Sequence, residues 1–495
     1  MILYKPSKLH MKINTKGSIF TVNNSMHIPT ELIDFLKRET YSLLIKGSAG
    51  TGKTTLALTI LRALNINKNC LYISTRVSPE QLFKYYPWLS SFFSKSVKSE
   101  LDEISEFETD ASVFVDARLD EPGALFERIT NQLMDVRAPV IIIDSWDAIG
   151  YFMDKEALMN NARVLQTWRE RSGAKIIFIA EDQKDATLDF LVDGIVELQQ
   201  RYYDNRIVRE IFLSKLRGVR INRPSYIFTL NNNVFRSYEP YRPSDYVITN
   251  VLDKKPEDTL QTFNNTHIKT GYPELDRILG EGLHKKSFVN VELDSNINAK
   301  VILAFLGKII SNFASSGNPV LFQPFEGINH DYLARYLESC LSKDAMRMLE
   351  IPQFANKSKR TSSHSDEILK HPDSIQQLDS AKKAIIEIQK KHPKKLLLAI
   401  LGSDLSHESH TGDMRKQIKQ QIELIKSKTD LFILVTRHSQ DNIQEKLSKI
   451  SDMYLNVSEI NDTLFLKSKI PWSHLYAIVT DRNSGYPKIS LEPIV

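Results

Sequence analysis

Cysteine is almost missing from this chain: Cys70 and Cys340 are the only two among 495 residues. Two thiols cannot build a disulfide framework, and they have neither the number nor the spacing of a zinc site, so a reducing, cytoplasmic compartment is expected. Long apolar runs are missing too. No stretch of roughly 20 uninterrupted apolar residues occurs, so no membrane span is expected. The start, Met1 to His10, has no apolar core with a small-residue cleavage site and no Arg/Ser-rich amphipathicity, and no targeting signal is read there. Neither sign of charge dominates: 65 Lys plus Arg face 60 Asp plus Glu, a net +5 that does not by itself argue for nucleic acid. With 18 Gly and 19 Pro the chain is neither collagen-like nor of low complexity. What it does have is 42% hydrophobic residues over a length that outgrows a single core, which predicts two or three domains.

The strongest local signal lies in the first half. Tyr41 to Ile45 is a short apolar run, followed by the glycine-rich stretch Gly47, Ser48, Ala49, Gly50, Thr51, Gly52, Lys53, Thr54 and then Thr55 and a helical pattern. This is strand, loop, helix with the spacing GxxxxGK[ST]. Such a loop turns successive backbone N–H groups into one concavity, where phosphate oxygens take the bonds that the start of a helix cannot make internally. The sequence therefore predicts ATP bound along Gly47 to Thr55, with Lys53 on the β and γ phosphates and the Thr54 hydroxyl on Mg²⁺. A P-loop needs a carboxylate at the end of a neighbouring buried strand, and Val140-Ile-Ile-Ile-Asp144 supplies it; Asp144 is expected to hold Mg²⁺ through its water shell. The competing reading of Asp144 is an N-cap for the helix that follows. Further strands at Lys175 to Ala180 and Gly194 to Leu198, separated from Asp144 by a helical stretch from Lys155 to Arg171, indicate a doubly wound, mainly parallel α/β sheet.

The order of P-loop, "IIIDSWD", "FLVDGIVEL" and "REIFLSKLRG" (Arg209 to Gly218) resembles the RecA-type ATPases of the KaiC-like group. It is closer still to their archaeal gas-vesicle-regulator, or GvpD-type, relatives, which it also resembles in "YISTRVSPEQL" (Tyr72 to Leu82). The resemblance covers about residues 28–240. It implies rings or head-to-tail homo-oligomers in which Lys215 and Arg217 of "KLRG" reach the γ-phosphate held by a neighbouring copy; solvated strand-end charges are the alternative. A cation delivered from outside suits a transition state that spreads charge over peripheral oxygens. One departure matters. Where many KaiC-like ATPases carry adjacent glutamates after the second strand, this chain has Ser74, Thr75 and Arg76, leaving Glu80 and Glu181 as water-positioning candidates. ATP binding is thus better supported than hydrolysis. Arg76 is read either as a phosphate contact or as a surface salt-bridge residue.

The domain then begins again. A Pro/Tyr/Asp-rich linker at 241–266 precedes Lys269 to Leu283, which resembles the entry signature of KaiC-like domains. Aligning Leu303-Ala304 with Leu56-Ala57 sets Lys300 opposite Lys53, Asp294 at Gly47, Ala299 at Gly52 and Val301 at Thr54. Gly402 takes the place of Asp144, and Pro471 that of Arg217. Correspondences in one order argue duplication, so 267–495 is expected to be a second RecA-like domain, degenerate in its ATP chemistry. Arg437 and His438 at a strand end are candidates for a different ligand in the old cleft.

The expected layout is an N-terminal extension 1–27, an ATP-binding domain 28–240, the linker, and the second domain with a polar, basic insertion at 355–395. That insertion holds 10 Lys plus Arg against 5 Asp plus Glu, an excess equal to the +5 of the whole chain. Its charges read first as a solvated face; contact with an acidic protein partner recruited by charge, or with nucleic acid, is the competing reading. His407 and His410 lack further ligands and read as a polar loop rather than a metal site. The functional expectation is a nucleotide-dependent regulatory or assembly switch. Its rivals are an accessory ATPase acting on single-stranded DNA and a non-catalytic interaction protein with structural ATP.

Overall fold

The computed structural model describes residues 28–93, 97–98, 112–118, 120, 123, 126, 139–151, 153–181, 188–248, 266–324, 327–352, 374–403, 412–438, 443–481 and 485–495. The N-terminal extension, positions 249–265 of the linker, positions 355–373 of the insertion with the two residues before it, and His407 and His410 lie outside the described residues.

The first sheet takes its strands from β1 (Tyr41–Gly47), β2 (Cys70–Ser74), β3 (Val97–Lys98), β4 (Ser112–Asp116), β5 (Val140–Asp144), β6 (Lys175–Ala180), β7 (Gly194–Tyr203), β8 (Arg206–Leu216), β9 (Ser225–Thr229) and β10 (Arg236–Ser237). They lie in the order β10-β9-β8-β7-β1-β6-β5-β2-β4-β3. Every residue of β1 is buried, as are the first four of β5 and all but the first of β6. Such runs have no polar face because helices cover both sides of a parallel sheet. β1 pairs in parallel with β6 and β7, and β5 with β6 and β2. Trp146 and Phe178 meet edge-on at 5.0 Å in the core on one face. Burial of each contributes roughly 1.5–3 kcal/mol.

A small pair, β11 (His267–Ile268) and β12 (Leu283–His284), precedes the second sheet. That sheet comprises β13 (Ser287–Leu293), β14 (Val320–Gln323), β15 (Leu349–Glu350), β16 (Leu398–Ser403), β17 (Leu431–Arg437), β18 (Met453–Ile460), β19 (Thr463–Ile470), β20 (Tyr476–Asp481) and β21 (Lys488–Pro493). Its order, β15-β14-β16-β17-β13-β18-β19-β20-β21, repeats the run β4-β2-β5-β6-β1-β7-β8-β9-β10 of the first. The fold is two tandem RecA-like α/β domains. Both copies make the same hairpin after the last parallel strand. Asp204-Asn205 and Asn461-Asp462 turn the chain with φ between 47° and 57°, the left-handed pair that a tight two-residue hairpin demands and that Asn and Asp tolerate.

By contacts the chain forms two compact units. The first holds the described residues up to Leu198 with Phe212–Pro224 and Asn232–Arg236; the second holds Gln199–Ile211, Ser225–Asn231 and the described residues from Ser237 to Val495. Within the second, Val208, Ile227 and Tyr238 bury against Phe465, Leu475 and Ala477. The sequence expectation for 355–395 needs correction in its second part. Helix Ser374–Lys391 is the crossover between β15 and β16, and it buries Leu378, Ala381, Ile385 and Ile388 on the sheet. It is part of the fold rather than an addition to it. Among the described residues no helix is long and apolar enough to cross a membrane.

Candidate nucleotide-binding site

The site forms at the carboxyl end of β1. Gly47 closes the strand at φ 155°, where a Cβ would stand 2.5 Å from the Leu198 carbonyl oxygen and 2.7 Å from Thr51 Oγ1, so no side chain fits. Gly52 (φ 100°) starts helix Lys53–Ala63 without any side-chain cap. A Cβ built on Gly50 meets nothing within 4 Å, and Ser48, Ala49 and Gly50 are exposed, so the loop walls an open cradle. Lys53 is buried and bends its Nζ back to donate to the carbonyls of Gly47 (2.6 Å) and Ser48 (2.9 Å). Burial pushes its ammonium below the ordinary value, while the carboxylates of Glu181 and Asp144 push back.

Asp144 ends β5, two strands from the loop. The registers β5 to β6 and β6 to β1 place Asp144 beside Ile179, and Ile179 beside Ile45. Its Oδ2 accepts from Thr54 Oγ1 at 2.7 Å and from the Tyr72 hydroxyl at 2.6 Å. The N-cap reading of Asp144 is therefore set aside: Ser145 occupies the N-cap of helix Trp146–Gly150, and Asp144 faces the P-loop. Burial and then Asp144 itself hold the Tyr72 phenol well above its ordinary pKa, which keeps the proton that it donates. A hydroxyl and a carboxylate joined across the mouth of an uncapped, glycine-walled loop fit Mg²⁺ and a phosphate chain.

Glu181 follows β6 directly and pairs with Arg76 from the end of β2, while its Oε1 lies 3.8 Å from Lys53 Nζ. Its backbone N–H donates to Asp147, whose carboxyl is raised by burial despite that bond. Thr75 accepts from the Ser145 N–H (2.7 Å) and donates to the Ser145 carbonyl (3.2 Å), which ties β2 to β5. Glu80 lies on helix Pro79–Tyr85, with its exposed carboxyl lowered chiefly by Ser78, and is not brought to the loop by any contact described here.

Lys215 and Arg217 are placed elsewhere. Lys215 Nζ donates to the carbonyls of Asp189 (2.8 Å) and Val192 (2.7 Å), and Arg217 pairs with Asp193 at 3.1 Å while 64% exposed. Asp193 in turn accepts from the Ser42 N–H at the start of β1. Arg217 thus sits five residues from Gly47 along the strand, about 16 Å at roughly 3.3 Å per residue, at the other end of the sheet from its own loop. Lys215 is engaged within its own unit, and Arg217 is the exposed cation of the two.

In the second copy the register corrects the alignment by one residue. β1 and β13 are equal in length and hold the same place in their sheets, so Leu293 stands at Gly47 and Asp294 at Ser48. Loops of equal length then put Asn298 at Gly52, Ala299 at Lys53 and Lys300 at Thr54. Lys300 instead lies over the Tyr332 ring at 4.5 Å. Asn298 caps its helix by accepting from the Lys300 N–H at 2.9 Å. Arg437, in register with Glu181, donates into the loop at the carbonyls of Ser295 (3.3 Å) and Ile297 (3.1 Å). Gly402 does hold the register of Asp144. His438 Nδ1 meets the buried Glu292 at 2.6 Å, and Lys469 meets it at 3.0 Å. A cavity of about 480 Å³ lined by Lys269, Asp276, Arg277, Glu281 and Asn312 lies apart from this loop. Asn312 is thirteen residues beyond Ala299 on one helix, about 20 Å at roughly 1.5 Å per residue.

Sequence reasoning missed Tyr72, Tyr86 and Asp147. Tyr72 was detectable as the one aromatic hydroxyl in a buried strand, and Asp147 as the second acid of "IIIDSWD". Tyr86, which shares a 2.8 Å hydrogen bond with Thr55, carried no signal.

Comparison with known proteins agrees with this geometry. Residues 35–240 match the family model described as "ATPase: KaiC". The chain is 23% identical to Protein GvpD2 of Halobacterium salinarum, over 95% of this chain and 96% of that protein. It is 24% identical to Protein GvpD1 of the same organism, over 94% and 96%. Similarity to the circadian clock oscillator protein KaiC of Thermostichus vulcanus, 24% identical, covers 50% of this chain and 46% of that one.

Proposed function

Because the chain is a RecA-superfamily protein of the KaiC/GvpD type, with a KaiC-like ATPase domain in residues 35–240, we propose that its first unit binds ATP with Mg²⁺ and uses nucleotide state as a regulatory or assembly switch. The single observation that carries this is the Thr54 to Asp144 hydrogen bond across the mouth of an uncapped glycine loop. When bound, Mg²⁺ would neutralise charge on the β and γ phosphates, held by Thr54 and, through its water shell, by Asp144. Gly47 to Thr55 would offer their N–H groups to the phosphates, and Lys53 would leave its two loop carbonyls for them. Tyr72 holds Asp144 in place. Hydrolysis would be slow: water bonds to the γ-phosphorus as the bridging P–O bond breaks, giving ADP and phosphate, with Glu181 as the carboxylate that takes the water's proton.

Arg217, remote from its own loop and exposed, suits a composite site completed by a second copy, in a ring or head-to-tail array. The second unit is then a scaffold or receiver without nucleotide, and the exposed lysines of helix Ser374–Lys391 are the place for an acidic partner. A cytoplasmic setting fits the two free cysteines. The test is the size of the purified protein with and without ATP and Mg²⁺, for the wild type, Lys53→Ala and Arg217→Ala. A size change on ATP that both substitutions abolish supports the switch. A protein that binds ATP with no change in size or exchange rate refutes it.

A further inference from the structure

Two cations converge on one carboxylate oxygen beside the P-loop. Arg76 Nη1 and Lys53 Nζ both face Glu181 Oε1, the first as a close ion pair and the second at 3.8 Å. Lys53 is the residue expected to meet the terminal phosphate, so Glu181 holds an anionic oxygen where that lysine can be drawn to an anion. Arg76 arrives from the end of β2 and Glu181 from the end of β6, the strands that flank β5 with its Asp144. All three side chains thus hang over the carboxyl edge of the sheet, where ligands of open α/β folds bind. The Arg76 and Glu181 side chains are 44% and 31% exposed, and a buried lysine is one partner; the pair is therefore reachable from solvent, unlike a core ion pair. A surface salt bridge contributes little to stability, so breaking this one costs the fold little.

We propose that Arg76 is a ligand of the γ-phosphate, and that Glu181 is an internal competitor which the terminal phosphate displaces from Arg76 and Lys53. The inference rests on the ATP-binding reading above and adds to it a basis for choosing ATP over ADP. ADP, whose β-phosphate can meet Lys53, has no γ-phosphate to reach Arg76. ATP brings a terminal phosphate that takes both cations, and the released carboxylate turns to water. The guanidinium fork suits phosphate as well as carboxylate, so the exchange conserves hydrogen bonding. Arg76 stands where a glutamate would leave the end of β2 acidic; here the acid comes from the end of β6, and the cation from β2.

The experiment measures affinity for fluorescent ATP and ADP analogues, with Mg²⁺, on the full chain for Arg76→Ala, Arg76→Lys, Glu181→Gln and the double variant Arg76→Ala/Glu181→Gln. A lost charge-assisted contact predicts about a tenfold or greater loss of ATP affinity in Arg76→Ala, with ADP affinity within about twofold of wild type. Arg76→Lys should recover part of the loss. Glu181→Gln should tighten ATP several-fold and ADP less, because ADP engages Lys53 alone. In the double variant the loss from removing Arg76 must persist. If it vanishes there, Arg76 merely holds Glu181 and the proposal is wrong. Equal effects on ATP and ADP, or none, would also overturn it. Lys53→Ala runs beside them: should it bind ATP as tightly as the wild type, the nucleotide reading itself fails, whatever Arg76 does.

Discussion

The two copies share a sheet order and differ at its carboxyl edge, and the difference shows how the loop after the central strand is kept open or closed. In the first copy Gly52 leaves the helix start uncapped and Gly47 leaves room at the strand end, so donors and space remain for a ligand. In the second, Asn298 caps the helix with its own side chain and Arg437 bonds two loop carbonyls. The equivalent position at the carboxyl end of the neighbouring strand is acidic in one copy (Glu181) and cationic in the other (Arg437). The second loop is thus bonded by its own residues at both its helix start and its carbonyls.

The comparison can be broken, starting with the largest effect. Lys53→Ala should abolish ATP binding, a loss of at least about 100-fold by calorimetric titration, while Lys300→Ala leaves affinity unchanged; equal losses would show two working loops. Gly47→Ala forces a Cβ to 2.5 Å from a carbonyl oxygen and should cost both ATP binding and roughly 2 kcal/mol of stability in denaturant melts. Asp144→Ala strands the buried Tyr72 hydroxyl and should cost about 1–3 kcal/mol, whereas Gly402→Asp should not confer Mg²⁺-dependent binding on the second copy. Arg437→Ala should cost about 1 kcal/mol with ATP affinity intact; a change in affinity would join the second loop to the chemistry.

The smallest effect concerns pH. Burial raises the Glu292 carboxyl, but hydrogen bonds from His438 and Lys469 outweigh it and the net shift is downward. A carboxyl lowered in the folded state adds stability above its unfolded value, and that contribution is lost as pH falls through the folded value. Acid unfolding followed below pH 4.5, the ordinary value of this carboxyl, should therefore show a flatter limb in Glu292→Gln than in wild type. An unchanged limb would remove Glu292 as a contributor.

Much of the fold was legible because buried parallel strands write themselves as apolar runs: Val140–Asp144 and Lys175–Ala180 need no partner to be seen. The loop was legible because its glycines and lysine have fixed spacing. The one-residue error in the second loop arose because, with the glycines gone, only apolar helix residues remained to align, and Leu303-Ala304 matches Leu56-Ala57 at a false register. Hydrogen bonds anchor the register more firmly than helix composition does. The crossover helix Ser374–Lys391 was mistaken for an insertion because its lysines are visible in sequence, while the sheet beneath its isoleucines is not. The Arg76 to Glu181 pair spans residues far apart in the chain, and no local pattern joins them.

One brace outlived the divergence. Asp193 accepts from the Ser42 N–H and gives its own N–H to the Ser42 carbonyl; Asp452 does the same with Phe288, in the corresponding strands. It pins the central strand at its amino end, away from the loop. A strand anchored there tolerates drift at its other end. Changes at the loop then leave this anchor in place, and the second copy keeps it with Leu293 at the position of Gly47 and Gly402 at that of Asp144. The same anchoring makes the second copy a reasonable host for a transplanted loop.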